Sequence, residues 1–202
     1  MFKRTTLFAL VSMLVLCLSG CGGEGTQQQA SQPAAAPEPP PKPAEPPPVI
    51  YELTKDDITT HPDWTSRNIS ILGVKLGDRT RDVEKNLGPV DNTRTLPEDY
   101  LTVYQNQGLF VYTFKITGKA RKLEVNEAFG KKIADAKLKK LLTTGDVKYM
   151  RELFGMEQGV EQNAEDNSTE YSYDTRGFRF VRFKIGGNTV NALRFSELRK
   201  TT

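Results

Sequence analysis

Side chains suited to nucleophilic, acid–base or metal chemistry are few and scattered along this chain. His61 is the sole histidine, and it stands before Pro62 with no second histidine or cysteine nearby. A general base or a metal site needs partners within reach, so His61 makes a poor candidate for either. The run Glu165-Asp166-Asn167-Ser168-Thr169-Glu170 is dense in oxygen, which makes calcium conceivable. Its spacing is not that of an EF-hand and no glycine turns it, so it reads as a solvated hairpin loop. Gly73 and Gly77 lack the spacing of a phosphate-binding loop, and no Gly-Lys-Ser/Thr follows them. No Gly-x-Ser-x-Gly frames a serine. The two cysteines, Cys17 and Cys21, both lie at the N-terminal end. The remainder of the chain therefore has no disulfide, no cysteine-ligated zinc and no thiol nucleophile. These residues predict a protein that is not an enzyme and needs no cofactor or metal.

The elements around Cys21 give that residue a different chemistry. Lys3 and Arg4 open the chain, and an apolar run from Leu7 to Leu18, broken by Ser12, follows them. That is the layout of an export signal. The run is too short for a permanent span, which takes about 20 apolar residues. It ends Leu18-Ser19-Gly20-Cys21, which resembles the lipobox of bacterial lipoproteins. The resemblance implies diacylglycerol on the Cys21 sulfur, cleavage before Cys21 and acylation of the new amine, so that membrane lipid is a partner. An ordinary signal peptide ending in a chance cysteine is the alternative. Cys17 reads as an apolar residue discarded with the signal. Gly22, where an Asp would retain the protein in the inner membrane, implies the outer membrane, facing the periplasm, if the cell has one.

Residues 1–20 are thus expected to be signal and residues 21–48 a tether. Prolines stand at 33, 37, 39, 40, 41, 43, 46, 47 and 48, in a composition that cannot bury enough apolar surface to fold. As polyproline II the tether reaches roughly 80 Å. It reads as a spacer, with a Pro-rich ligand for a partner as the sharper alternative. Charges nearly cancel, with 28 basic and 25 acidic residues. No Lys/Arg block is long enough to follow a phosphate backbone, so nucleic acid is not an expected partner.

From Val49 onward the chain resembles itself. Gly77-Asp78 and Gly145-Asp146 each open a short helical pattern. The patterns are Val83, Asn86 and Leu87, then Val147, Met150, Leu153 and Phe154, and each closes on a glycine, Gly88 or Gly155. Tyr104 and Tyr173, Gly108 and Gly177, and Gly118 and Gly187 are pairs with the same separation. Two repeats are expected, at 49–130 with an N-terminal extension and at 131–202. Each would be a short helical segment on a small antiparallel sheet, an α+β arrangement. Residues 131–142, with Ile133, Ala136, Leu138, Leu141 and Leu142 at helical spacing, would join them.

Period-two alternation in the strands sorts side chains onto two faces. Phe110, Tyr112, Phe114 and Ile116 are expected in the core of the first copy. Arg179, Val181, Phe183 and Ile185 match them in the second, with Arg179 an exception near the strand start. Phe178, Phe180, Arg182 and Lys184 would then face outward. Two aromatics beside two cations have the composition of a protein interface, and these four are the candidate partner-binding residues. The competing reading is that a loop or the 131–142 helix covers them. Trp64 is expected to cover a core edge.

The pattern Leu72-Gly73-Val74-Lys75-Leu76-Gly77-Asp78, then Val83, then Leu87-Gly88-Pro89 is similar to modules of the BamE (SmpA/OmlA) family and of β-lactamase inhibitory protein. The likeness covers about residues 70–202, and the second copy has Met156 where the first has Pro89. It implies helices packed on an antiparallel sheet, with tandem modules presenting a concave surface that grips another protein. The expected function is a lipid-anchored, non-enzymatic envelope module that binds or assembles a protein. The alternative is a binding module for a small molecule or cell-wall glycan.

Overall fold

The computed structural model describes residues 46–164 and 166–198. The expected signal, Cys21 and all but the last residues of the expected tether lie outside them, as does Glu165 of the acidic run. The fold is α+β. Eight antiparallel strands form one sheet. In chain order they are β3 (Asn92–Thr95), β4 (Asp99–Tyr104), β5 (Leu109–Phe114) and β6 (Lys119–Asn126), then β7 (Gly159–Asn163), β8 (Ser168–Tyr173), β9 (Phe178–Ile185) and β10 (Asn188–Ser196). Their order across the sheet is β3-β4-β5-β6-β10-β9-β8-β7. Two meanders therefore meet at a seam between β6 and β10, with pairs such as Arg194 with Glu124 and Ser196 with Lys122. β3 and β7 are the free edges, and all of β3 and most of β7 are exposed polar sequence.

Four helices pack on one face: α1 (Thr80–Leu87), α2 (Glu127–Gly130), α3 (Ala136–Thr144) and α4 (Val147–Phe154). Their ends follow local chemistry. Asp135 caps α3 by accepting from the Lys137 and Leu138 N–H groups at 2.9 and 3.1 Å. Asp146 caps α4 by accepting from Lys148 and Tyr149 at 2.8 and 3.2 Å. The joining helix thus begins at Ala136, after its cap, while Ile133 is buried ahead of it. Gly108 and Gly177 close the β4–β5 and β8–β9 turns at φ 67° and 72°. A Cβ at Gly108 would stand 2.4 Å from the Phe129 nitrogen, and one at Gly177 would stand 2.2 Å from the Ser66 hydroxyl. No other residue fits either turn.

Residues 49–79 form a substantial part of the core. β1 (Tyr51–Glu52) pairs in parallel with β2 (Ile69–Ser70). Leu53, Ile58, Trp64, Ile69, Ile71 and Val74 are all fully buried. Glu52 holds this segment in shape. Its carboxylate accepts from the Leu72 and Gly73 N–H groups at 2.9 and 3.1 Å, from the Thr54 hydroxyl at 3.0 Å and from the Ser70 hydroxyl. These bonds fix Leu72 at φ 53° in the left-handed region, where a branched side chain is strained. Burial pushes the Glu52 carboxyl up, but the bonds from Ser70, Leu72 and Gly73 outweigh it and hold the group below its usual range. The turn is then stitched to α1 by Asn86, whose amide donates to the Gly73 carbonyl at 2.9 Å. It is tied to the sheet where Gly77 and Asp78 exchange backbone bonds with Ala120, both of 2.8 Å. The Leu72–Asp78 motif is a bracket between helix and sheet.

The structure reverses the expected sheet faces. Leu109 and Val111 face the helices, as do Phe178 and Phe180, which are 1% and 0% exposed. Phe110, Tyr112, Phe114 and Phe183 lie half-buried on the opposite face, and Ile116 and Ile185 are exposed. Strands such as Leu109–Phe114 are apolar on both faces. Alternation therefore fixes which residues share a face but not which face is covered. The N-terminal segment makes that choice. Trp64 is not at a core edge but at its centre, 5.0 Å from the Phe178 ring and 6.4 Å from Phe195, centroid to centroid. Phe178 and Phe180 are therefore core residues, not surface residues. Arg182 and Lys184 share their face but lie farther along β9, half-buried and exposed respectively.

Phe178→Ala and Phe180→Ala should each cost about 3–5 kcal/mol in equilibrium urea unfolding. A loss below about 1 kcal/mol, the size of an ordinary surface change, would return these rings to the surface.

Candidate functional site: the open sheet face

All four helices and the N-terminal segment draw their buried apolar residues from the cluster on one side of the sheet. The other side is an open face of three zones. On β4 and β5, Leu101 stands opposite Tyr112 and Val103 opposite Phe110, with Phe114 further along β5. These five side chains form a half-buried apolar strip. On the far side, Phe183 and Ile185 lie on β9.

Between them runs a chain of charges across five strands. Arg194 on β10 donates from Nε to Glu124 on β6 at 2.7 Å and from Nη1 to Glu170 on β8. Arg179 on β9 donates to the second Glu170 oxygen at 2.6 Å and to Glu161 on β7 at 3.3 Å. The Arg194–Glu170 pair skips over β9. Val181 lies beneath it, in register with Glu170 on one side and Ala192 on the other. This explains how Val181 and Ala192 are buried on a face no helix covers. Burial pushes the Glu170 carboxyl up, but Arg194 and Arg179 more than compensate and hold it below its usual range.

A β-bulge shapes the boundary between strip and charges. Thr113 pairs with Ala120 and Tyr112 with Lys122, which leaves Arg121 unopposed. The Arg121 guanidinium sits 4.6 Å from the Phe114 ring centre and donates to Glu98 and Asp99 at 2.7 and 2.8 Å. The Lys122 ammonium lies 4.8 Å from the Tyr112 ring centre. Burial, with Arg194 close by, pushes the Lys122 ammonium below its ordinary value, and burial pushes the Tyr112 hydroxyl up. A shallow cavity of about 220 Å³ opens among Lys122, Arg179 and Arg194, with Asp174 and Glu197 at its rim.

Chemically this face suits contact. Glu124, Glu161 and Glu170 are each held by an arginine. Among the described residues no group of three or more His, Cys, Asp or Glu side chains could hold a metal ion. No helix of the described residues is long and apolar enough to cross a membrane. His61 is exposed and its ring lies 4.7 Å from Tyr51. The acidic run contributes Asp166, Asn167 and Ser168 to the β7–β8 connection, where the Asp166 carboxylate accepts from the Ser168 hydroxyl at 2.6 Å.

Sequence reasoning missed the charged network. Lys122, Glu124, Glu170, Arg179 and Arg194 sit in different strands, and only the register sets them against one another. The available signal was period-two charge inside otherwise apolar strands, as in Lys122-Leu123-Glu124 and Leu193-Arg194-Phe195.

No protein-family model and no curated protein matches the chain. Among solved structures it is similar to a DUF4309 family protein, YjgB, from Bacillus subtilis subsp. subtilis str. 168, at 13% identity, with 62% of this chain and 83% of that one covered and a TM-score of 0.43. A likeness of that size assigns neither fold nor role.

Arg194→Ala leaves Glu124 and Glu170 without their shared cation and should cost about 3–5 kcal/mol at neutral pH. Glu170 has a lowered folded pKa, so its contribution is full above its unfolded value and is lost as pH falls through the folded one. The gap between wild type and variant in urea unfolding should therefore narrow as pH falls through the carboxylate range. A gap unchanged by pH would sink the assignment.

Proposed function

We propose that this chain is a lipid-anchored envelope protein of bacteria, without enzymatic activity, that holds another protein on its open sheet face. The observation that carries the reading is the uncovered strip of Leu101, Val103, Phe110, Tyr112 and Phe114 beside a floor of paired charges. Aromatic side chains flanked by arginine are the composition enriched where proteins bind tightly. The floor is already paired internally, so a partner can cover it without stranding a charge. The occupant that fits is a folded protein offering an apolar loop or edge to the strip and polar groups to the charges.

We further propose that the module is a tandem duplication. Each half runs from a helix into a four-stranded meander, α1 into β3–β6 and α4 into β7–β10. The halves meet at like strands, β6 and β10, the last of each meander. Tyr104 and Tyr173 are buried at matching places, and Gly108 and Gly177 make matching tight turns. Such an arrangement supports a continuous face twice the width of either half.

The lipobox ending at Cys21 and the proline-rich stretch that follows supply the address. Several acyl chains anchor where one would be marginal, and the tether would let the face reach well beyond the lipid.

Two experiments test this. Cys21→Ser should abolish incorporation of labelled palmitate and move the protein from the membrane to the soluble fraction. Retention with label intact would remove the anchor from the proposal. A photo-crosslinking residue placed at Phe110 in cells should give one discrete protein adduct, while the same residue at exposed Lys139 of α3 gives none. Equal adducts from both positions, or none from Phe110, would reject the open face as the docking surface.

A further inference from the structure

A second recess lies on the opposite side of the sheet. On β7, β8 and β9, Gln162 stands in register with Thr169 and Thr169 with Arg182. One step along, Lys184 stands opposite Thr189. Asn167 walls one end, where its carbonyl accepts from the Lys184 N–H at 3.1 Å. The result is a crevice of about 540 Å³, within the usual range of about 300–1,000 Å³ for small-molecule sites.

Its lining differs from that of an ordinary apolar pocket. The amides of Gln162 and Asn167 border it, together with three hydroxyl side chains and the cations Arg182 and Lys184, and Ala164 is the one apolar residue among the described lining. Among the described residues no carboxylate lines it. Neither Arg182 nor Lys184 makes an ion pair among the described residues, whereas Arg179 and Arg194 on the open face are both bound to carboxylates. The neighbouring Asp166 is occupied by the backbone and hydroxyl of Ser168, at 3.1 and 2.6 Å. The Arg182 Nε–H is buried without an acceptor, a condition that costs about 1–3 kcal/mol and calls for a partner.

We propose that this crevice binds a saccharide bearing a carboxylate. The carboxylate is the acceptor that Arg182 and Lys184 lack, and a guanidinium meets it with two parallel bonds. The amides decide between a sugar and a simple anion. Each amide offers a carbonyl oxygen as well as an NH₂. A fully deprotonated oxyanion cannot donate to those oxygens, but a sugar hydroxyl both donates and accepts. Among the described residues no aromatic ring lines the crevice to stack a nucleobase, and no apolar cleft seats a peptide side chain. This site is independent of the open face, so either can fail alone.

The test is calorimetric titration of the full-length protein with N-acetylmuramic acid and, as its neutral counterpart, N-acetylglucosamine, with inorganic phosphate as the bare anion. The acidic sugar should bind at least about tenfold more tightly than the neutral one, the scale of one charge-assisted contact. Phosphate should fail to displace it at equal concentration. Arg182→Gln and Lys184→Gln should each weaken it by about tenfold. Lys184 is exposed, so its variant keeps the test valid if the Arg182 variant misfolds. Arg94→Gln, far off on β3, should change nothing. Equal binding of both sugars, displacement by phosphate, no binding of the acidic sugar, or affinity unchanged in Lys184→Gln would each overturn the proposal.

Discussion

The seam between β6 and β10 is the pairing on which the rest of this molecule depends. Without it the chain would hold two separate four-stranded meanders, each with an uncovered edge. With it, the hydrogen-bonded ladder from Ala192 with Asn126 to Ser196 with Lys122 makes one sheet. The same pairing sets Arg194 directly opposite Glu124 on one face and Leu193 opposite Val125 on the other. A slip of one residue would turn both sets over, moving a guanidinium into the apolar core. The register is thus enforced from both sides, by burial beneath and by charge pairing above.

The two faces contribute differently. The covered face carries the apolar core cluster, which includes large side chains from the N-terminal segment, the helices and the strands. At about 25 cal/mol for each square ångström buried, such a face is where the stability lies. The charged chain of Glu124, Arg194, Glu170, Arg179 and Glu161 is a weaker source, because taking ions out of water offsets much of their attraction. Its effect is on geometry. It holds long side chains flat across the centre of the open face, closes over Val181 and Ala192, and leaves the aromatic strip uncovered at one side. Rigid polar ground beside exposed apolar ground is a surface prepared for contact without being sticky throughout.

Much of the architecture was legible from residue types. Leu87-Gly88 and Phe154-Gly155 end α1 and α4 because glycine alone reaches their C-terminal turns easily. Alternating apolar residues place β5, β6, β9 and β10 to within a few residues. Three things were not legible. β3 and β7 are polar edge strands, so Asn92–Thr95 and Gly159–Asn163 carry no pattern that separates them from loops. The start of the joining helix is hidden because the apolar pattern of 131–142 runs past Asp135, the residue that caps α3. The sign of the sheet faces was out of reach because Leu109–Phe114 is apolar on both sides. What decided it was a tryptophan more than forty residues upstream of β5. The candidate site inherited that reversal: Phe178 and Phe180 moved into the core, while the open face came to light at Phe110, Tyr112 and Arg194. Sites made by register are invisible until the register is known.

Trp64 also has a kinetic meaning. Its ring is closed in by Phe178 and Phe195, on two of the final strands of the chain, and Ser66 is tied by its backbone N–H to the Arg176 carbonyl at 2.8 Å. Contacts between such distant positions are slow to form, since a long loop must close before they contribute anything. The centre of the core therefore cannot assemble before β9 and β10 have been made. Any precursor lacking β9 and β10 stays open at its middle, with Trp64 waiting for Phe178 and Phe195. The core closes only once β9 and β10 are in place.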